Sequence, residues 1–263
     1  MDKRPIGIFD SGVGGLTVYQ AVRAALPNED IIYFADTQRA PFGGKPKETL
    51  LSYAQQIIQF LIEQEVKLII IACNTICAVA YEQLREQFTV PLIELIDLSV
   101  SEAVNKSGTQ HIGILATEAS INSGVFAQKL LANGSTPYPK AAPMLVPLIE
   151  AGHLQPDLIH RVLAQYLDPI ISHIDTLILG CTHYPHLSGQ LGQLYPHLRL
   201  INPAKRVATA TQTYLDAHHL RTHPEMTGTS TFFTTKDPEK FNDLCATLIG
   251  QKVSSIHKKW LRP

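Results

Sequence analysis

Leu68-Ile69-Ile70-Ile71-Ala72-Cys73-Asn74-Thr75 and Asp175-Thr176-Leu177-Ile178-Leu179-Gly180-Cys181-Thr182-His183 are two short apolar runs, each ending in a small residue, a cysteine and polar residues. Unbroken apolar runs, as opposed to alternating ones, mark strands covered on both faces, as in parallel sheets flanked by helices. An earlier run precedes each: Ile6-Gly7-Ile8-Phe9-Asp10-Ser11 and Ile112-Gly113-Ile114-Leu115-Ala116-Thr117. Cys73 follows Asp10 by 63 residues and Cys181 follows Ala116 by 65. One matching hexamer means little among strands rich in Ile, Leu and Val. Two matched pairs at nearly equal spacing point to a duplicated α/β unit. Ligands of open α/β sheets bind outside the carboxyl ends of the strands. Two such halves facing each other would aim Cys73 and Cys181 into one cleft from opposite sides.

The rest of the chain continues the alternation. Strands are expected at residues 5–9, 31–35, 67–72, 91–96, 110–115, near 144–146, and at 176–179 and 199–201. Between them, residues 47–65 place Leu50, Leu51, Ala54, Ile57, Ile58, Leu61 and Ile62 on one helical stripe. Strands alternating with helices predict an α/β fold with mostly parallel sheets. Asp237-Pro238-Glu239 offers an N-cap, a proline at the first helical position and an acid in the first turn, so a helix should run to about Ile249 and stop at Gly250. Residues 134–143, with three prolines, read as the loosest stretch.

Composition narrows the function. The chain has 263 residues, 45% hydrophobic and 17% charged, the charged share falling below the ~25% usual in soluble domains. That composition excludes disorder. With 22 Lys+Arg against 23 Asp+Glu there is no global basic footprint for nucleic acid. No apolar run approaches the ~18–20 residues that span a bilayer, so no membrane partner is expected. Met1-Asp2-Lys3-Arg4-Pro5 leads into a short strand, with no secretory h-region, which predicts a cytoplasmic protein. Four cysteines are too few for a disulfide scaffold, so each is core, metal ligand or catalyst.

Opposed thiols suit one chemistry well. The two enantiomers of an amino acid present Cα–H to opposite faces, so inversion without a cofactor needs a base on one face and an acid on the other. Thiols, with an unperturbed pKa of ~8.5, serve in both roles. Asp10, Glu150 and His183 are at hand to hold or relay a thiol proton. Ser11, Asn74, Thr75 and Thr182 are short hydrogen-bonding residues of the kind that grip carboxylates and ammonium groups. Other readings stand beside this one. Cys73 and Cys181 are also compatible with buried structural cysteines. Cys73, Cys77, Cys181 and His183 offer four zinc-type ligands, although their spacings do not suit a zinc knuckle. The glycines of residues 10–15 invite a phosphate, but they match neither Gly-x-Gly-x-x-Gly nor a Walker loop. Asp10 and His183 also read as helix or turn caps, and Glu150 as an exposed acid at a helix start. Cys77 and Cys245 read as core, and His218, His219 and His223 as a solvated helix end.

At these residues the sequence resembles the cofactor-independent glutamate racemases of bacteria. The matching motifs are residues 6–18 (IGIFDSGVGGLTV), 33–46 (YFADTQRAPFGGKP), 72–75 (ACNT), 179–185 (LGCTHYP) and 232–241 (FFTTKDPEKF), which span nearly the whole chain. The resemblance implies two pseudo-symmetric α/β domains with the active site between them, residues 1–97 plus 208–263 forming the first and 98–207 the second. It implies glutamate as substrate, no cofactor, no metal, and a product, D-glutamate, destined for peptidoglycan. The acid/base pair falls on Cys73, associated with D-glutamate, and Cys181, associated with L-glutamate. Asp10, His183 and Glu150 fall on the supporting acid, histidine and glutamate. Substrate contacts fall on Asp10, Ser11, Phe42, Gly43, Asn74, Thr75, Thr117, Ser120, Thr182 and His183. Relatives commonly dimerise through differing interfaces, so a homodimer is the assembly the resemblance allows. Departures are Phe42 for a common Tyr, Glu94-Leu95 and Asp97-Leu98 where a Gly is usual, Asn202 for a common Asp, and Ser120 for a second Thr. The nearest alternatives are a racemase for aspartate or another amino acid, and a non-catalytic module for a small acidic ligand.

Overall fold

In the computed structural model, which describes residues 1–260, the apolar runs form ten strands. These are β1 (Ile6–Asp10), β2 (Ile31–Ala35), β3 (Leu68–Ile71), β4 (Leu92–Ile93), β5 (His111–Ala116), β6 (Thr136–Ala141), β7 (Thr176–Gly180), β8 (Arg199–Ile201), β9 (Ser230–Thr234) and β10 (Ser255–His257). Between them run α1 (Leu16–Ala25), α2 (Lys47–Glu63), α3 (Asn74–Gln87), α4 (Ile96–Lys106), α5 (Glu118–Asn122), α6 (Val125–Ala132), α7 (Leu145–Glu150), α8 (Pro156–Leu167), α9 (Ser188–Leu194), α10 (Ala204–Ala217) and α11 (Pro238–Ile249). All strand pairs are parallel. One sheet has the order β10-β9-β2-β1-β3-β4 and the other β6-β5-β7-β8, so β2-β1-β3-β4 repeats as β6-β5-β7-β8. The register repeats too: Gly7 lies opposite Ile69, and Gly113 opposite Leu177. The α/β class with mostly parallel sheets is as the sequence predicts.

Burial explains why the central strands read clearly. Ile6, Ile8, Leu68, Ile69, Ile70, Ile71, Ile112, Ile114, Leu177 and Ile178 are all fully buried. Each side chain of this size contributes about 1.5–3 kcal/mol on leaving water. Their strands are therefore apolar on both faces. The stripe of α2 packs as read, with Leu50, Ala54, Ile57, Ile58 and Leu61 buried and Leu51 and Ile62 partly so. α11 starts as expected: the Asp237 carboxylate accepts from Lys240 N–H at 3.1 Å, and Gly250 ends the helix at φ +66°.

Two expectations are corrected. Residues 144–146 are not a strand but the start of α7, and the strand is β6, inside the stretch read as loose. β6 is an edge strand, paired only with β5. Thr136 N–H donates to Gln110 O and Ala142 N–H to Ala116 O, so the even-numbered amides face β5. Pro137 and Pro139 fall on the odd positions, where the missing N–H faces the open edge. Glu150 likewise stands at the end of a helix, not at its start.

Two departures from the family pattern find local roles. Glu94 is buried, and its carboxylate accepts the N–H groups of Ile96 and Asp97, tying down the first turn of α4. Burial pushes its carboxyl up to about 7, against those two hydrogen bonds. Asn202 Oδ1 accepts from Ala204 N–H at 3.1 Å, holding the turn that leads into α10 as an aspartate could.

Candidate active site

The carboxyl ends of β1, β3, β5 and β7 meet around one cavity of about 220 Å³. Ligand pockets usually run ~300–1,000 Å³, so this one suits a small metabolite better than a nucleotide. Asp10, Ser11, Phe42, Gly43, Cys73, Asn74, Thr75, Thr117, Cys181, Thr182 and His183 all line it. The structure thus brings together residues from both halves of the repeat. Ser120 does not reach the wall; it is fully buried behind Thr117, whose hydroxyl lies 2.9 Å from its own. Glu150 also lies outside this cavity and meets it through His183, its Oε1 lying 3.0 Å from His183 Nε2. Among the described residues no Lys or Arg lines the cavity.

Local chain geometry sets each group. Cys73 is the N-cap of α3 in an extended conformation, directly after β3. Cys77, one turn on, gives its S–H to Ile71 O at 3.3 Å and does not line the cavity, so the four zinc-type ligands do not converge. Cys245 is fully buried in α11. Asp10 closes the glycine loop, its Oδ2 accepting Gly15 N–H at 2.6 Å. A loop amide open to a phosphate is thereby occupied by the chain's own carboxylate. The capping and functional readings of Asp10 are not exclusive, because Oδ1 is buried without a partner among the described residues. Both polar side-chain atoms of buried Asn74 are likewise unpartnered. Unmet polar groups on a cavity wall are what a polar ligand satisfies.

The two halves touch closely here. Thr75 and Thr117 hydroxyls stand 3.0 Å apart, and Thr182 Oγ1 donates to Asp10 Oδ2 at 3.4 Å. Ala119 N–H donates to Gly43 O at 3.0 Å. A Cβ on Gly14 would stand 2.5 Å from His183 Nδ1, and one on Gly43 would stand 2.9 Å from Thr117 Cβ. Only glycine permits those approaches. The phenyl ring of Phe42 is buried on the wall against Tyr53, with centroids 5.7 Å apart, so no phenol is offered there. Sequence reading missed Pro41, Gly44, Glu118, Ala142, Pro143, Val146 and Pro147 on the wall. Pro41, Gly44 and Glu118 lie in or beside quoted motifs, but nothing local marks which of their atoms face inward.

Electrostatics distinguishes the two thiols. Burial pushes the Cys73 thiol well up, and the adjacent Asp10 carboxylate adds to the rise. Burial also raises Asp10, opposed by the charge on His183 and the Gly15 N–H. On the other wall, His183 Nδ1 lies 3.7 Å from Cys181 Sγ. Burial alone would lower this imidazole, yet the hydrogen bonds to Cys181 and Glu150, with the charges on Cys181 and Asp10, carry it well above its ordinary value. His186, one turn on, is pushed down to about 4 by burial and by the His183 charge. A folded pKa above the unfolded ~6.5 means the stability His183 contributes is complete below pH 6.5 and is lost as pH rises through the folded value. Ring-carbon NMR titration should therefore find the His183 midpoint above the ordinary imidazole value of ~6.5. Glu150→Gln should move its midpoint downward. A midpoint near 6.5 in the unmodified protein would contradict this electrostatic picture.

Two facing parallel sheets, duplicated in topology and closing on one cavity, belong to a recognisable class. Residues 7–211 match the family model described as Asp/Glu/Hydantoin racemase, and the chain belongs to that family. The glutamate racemase of Syntrophus aciditrophicus is 40% identical over 258 residues, covering 97% of this chain and 96% of that one. The crystal structure of Francisella tularensis glutamate racemase with D-glutamate superposes with a TM-score of 0.92 at 34% identity, covering 98% of both chains. That of the Thermus thermophilus enzyme with β-chloro-D-alanine superposes at 0.90 and 36% identity, again covering 98% of both.

Proposed function

We propose that the chain is a glutamate racemase that interconverts L- and D-glutamate with two thiols and no cofactor. The observation that carries this reading is the placement of Cys73 and Cys181 at equivalent strand ends on the wall of one cavity, each beside its own titratable partner. From L-glutamate, Cys181 starts as a thiolate whose charge the His183 imidazolium offsets, takes the Cα proton and becomes a thiol. Cys73, held as a thiol by burial and Asp10, delivers its own proton to the opposite face. The product is D-glutamate, with Cys73 left as thiolate and Cys181 as thiol. The reverse reaction starts from that state, and Asp10 is the group placed to relay the Cys73 proton. Glu150 accepts from His183 Nε2–H and holds the imidazolium in place. Asn74, Thr75, Thr117, Thr182 and the loop at Ser11, Phe42 and Gly43 grip the substrate, with Ser120 supporting Thr117. Neutral donors suffice in a dry cavity, where each hydrogen bond to a carboxylate is worth more than in water.

The domain division we propose is residues 1–97 with 208–263, and 98–207. β9 and β10 extending the first sheet support it, and its boundaries fall within α4 and α10. A cytoplasmic location, a role in supplying D-glutamate for peptidoglycan and a homodimer are carried by the family resemblance. Among the described residues no helix is long and apolar enough to cross a membrane.

The test is Cα exchange in D2O. Both enantiomers of glutamate should take up one deuterium at Cα, with inversion, at rates unaffected by chelator. Glutamate should turn over well ahead of aspartate and glutamine. Faster turnover of aspartate would reassign the substrate. Binding that stabilises the protein without deuterium uptake would make the chain a binding module.

A further inference from the structure

The wall loop that carries Phe42 and Gly43 is anchored away from the cavity by an unusual clamp. Asp36 follows β2 and is fully buried. Its Oδ2 accepts from Arg39 Nε at 2.5 Å, and its Oδ1 from Thr235 Oγ1 at 3.0 Å and Trp260 Nε1 at 3.2 Å. The Arg39 guanidinium carbon sits 4.1 Å from the centroid of the Tyr53 ring and 4.4 Å from that of Trp260. Its Nη1 donates to Gln56 Oε1 at 2.7 Å, and its side chain is only 14% exposed. Tyr53 in turn packs on Phe42, which lines the cavity. Asp36 N–H donates to Asp10 O at 3.0 Å, so the clamp is also tied to the strand that bears the site carboxylate.

The geometry points to Arg39 and Trp260 as positioning residues for substrate binding. A planar cation stacked on two rings, tied through Nε to a buried carboxylate and through Nη1 to Gln56, is held in one placement. That placement fixes the chain at residue 39, three residues before Phe42, and the Tyr53 ring on which Phe42 packs. Trp260 supplies one face of the stack from the segment after β10. The far end of the sequence thereby helps to shape a wall built by residues 41–44. None of these groups moves a proton, so their loss should weaken binding of ground state and transition state alike. Such a loss raises KM and leaves kcat nearly unchanged.

This inference rests on the glutamate racemase reading, and its test separates the two. Steady-state racemisation should show KM for both glutamate enantiomers raised about tenfold in Trp260→Ala, with kcat within about twofold, the size expected for losing a desolvated cation–π face. Trp260→Phe keeps the ring over Arg39 and should stay within about threefold of the unmodified KM. Arg39→Gln should behave like Trp260→Ala, and Arg39→Lys, which keeps the charge without the planar guanidinium, should fall between. The thermal shift produced by saturating D-glutamate reads binding without turnover and should shrink in the same order. An unchanged KM in Trp260→Ala and Arg39→Gln, or a fall in kcat at constant KM, would overturn the positioning role. If the unmodified protein binds glutamate but does not racemise it, the catalytic reading fails while the thermal-shift series still decides the clamp.

Discussion

Replacing either Cys73 or Cys181 by alanine should lower racemisation in both directions by at least about 10³-fold, at the upper range for loss of a positioned acid or base. Every turnover uses both thiols, one to remove a proton and one to return it, so neither direction escapes the loss of either residue. The loss should appear in kcat more than in KM, because the thiols act on Cα, while Asn74, Thr75, Thr117 and Thr182 remain to hold the substrate. Folding should survive. Cys-to-Ala is a small truncation, and both side chains face a cavity that already exists. Stopped circular dichroism of each enantiomer, with binding checked by calorimetry, measures the two quantities separately. Ordinary turnover in either variant would refute the two-thiol mechanism. Cys77→Ala and Cys245→Ala serve as controls, since those thiols lie outside the cavity.

The second large effect is on stability, at the other end of the sheet. Lys67 Nζ lies 2.5 Å from Glu29 Oε2, with both side chains essentially without solvent contact. The ammonium also donates to Asp2 O and Leu220 O, each at 2.8 Å, and Glu29 Oε1 accepts Thr222 N–H at 3.0 Å. One buried pair thus joins four separated segments at the amino end of the strands. Lys67→Ala removes the buried cation and leaves the Glu29 carboxylate with only the Thr222 N–H and the partly exposed Arg221, whose Nε lies 3.5 Å from Oε1, a change that typically destabilises by about 3–5 kcal/mol. Against a typical total of ~5–15 kcal/mol that is a large share. Denaturant unfolding should show the drop, and the double change Glu29→Leu with Lys67→Met should recover part of it, since it removes the stranded charge. Recovery stays partial because the Asp2 and Leu220 carbonyls and the Thr222 amide lose their partners. KM for glutamate should be unchanged in the folded fraction, because the pair is a sheet's length from the cavity. A loss below about 1 kcal/mol for Lys67→Ala would show that water or Arg221 compensates the charge.

The strands around the site were legible because double-sided burial leaves an unbroken apolar run and because each run ends in chemistry. The duplicated spacing of Asp10 with Cys73 and of Ala116 with Cys181 carried enough information to foresee two like sheets. β6 was illegible because its prolines read as loop, and only its edge position makes them tolerable. The three-residue strand β10 lacks a pattern long enough to stand out. Glu150 was found as a residue but not as the end of α7, since a six-residue helix carries under two turns of periodicity.

The amino-acid sequence by itself determined the central strands β1, β3, β5 and β7, where they end, and hence that two thiols stand at equivalent places. Those properties follow from local burial periodicity and from residues adjacent in the chain. Only the tertiary structure decided which polar groups are met and which are left for a ligand. Asp10 Oδ2 is spent on Gly15 while Oδ1 is free, Ser120 stands behind Thr117, and Arg39 lies between Tyr53 and Trp260. Each depends on how two sheets and their loops settle against one another, a sum over many contacts distant in sequence. No local pattern encodes that sum.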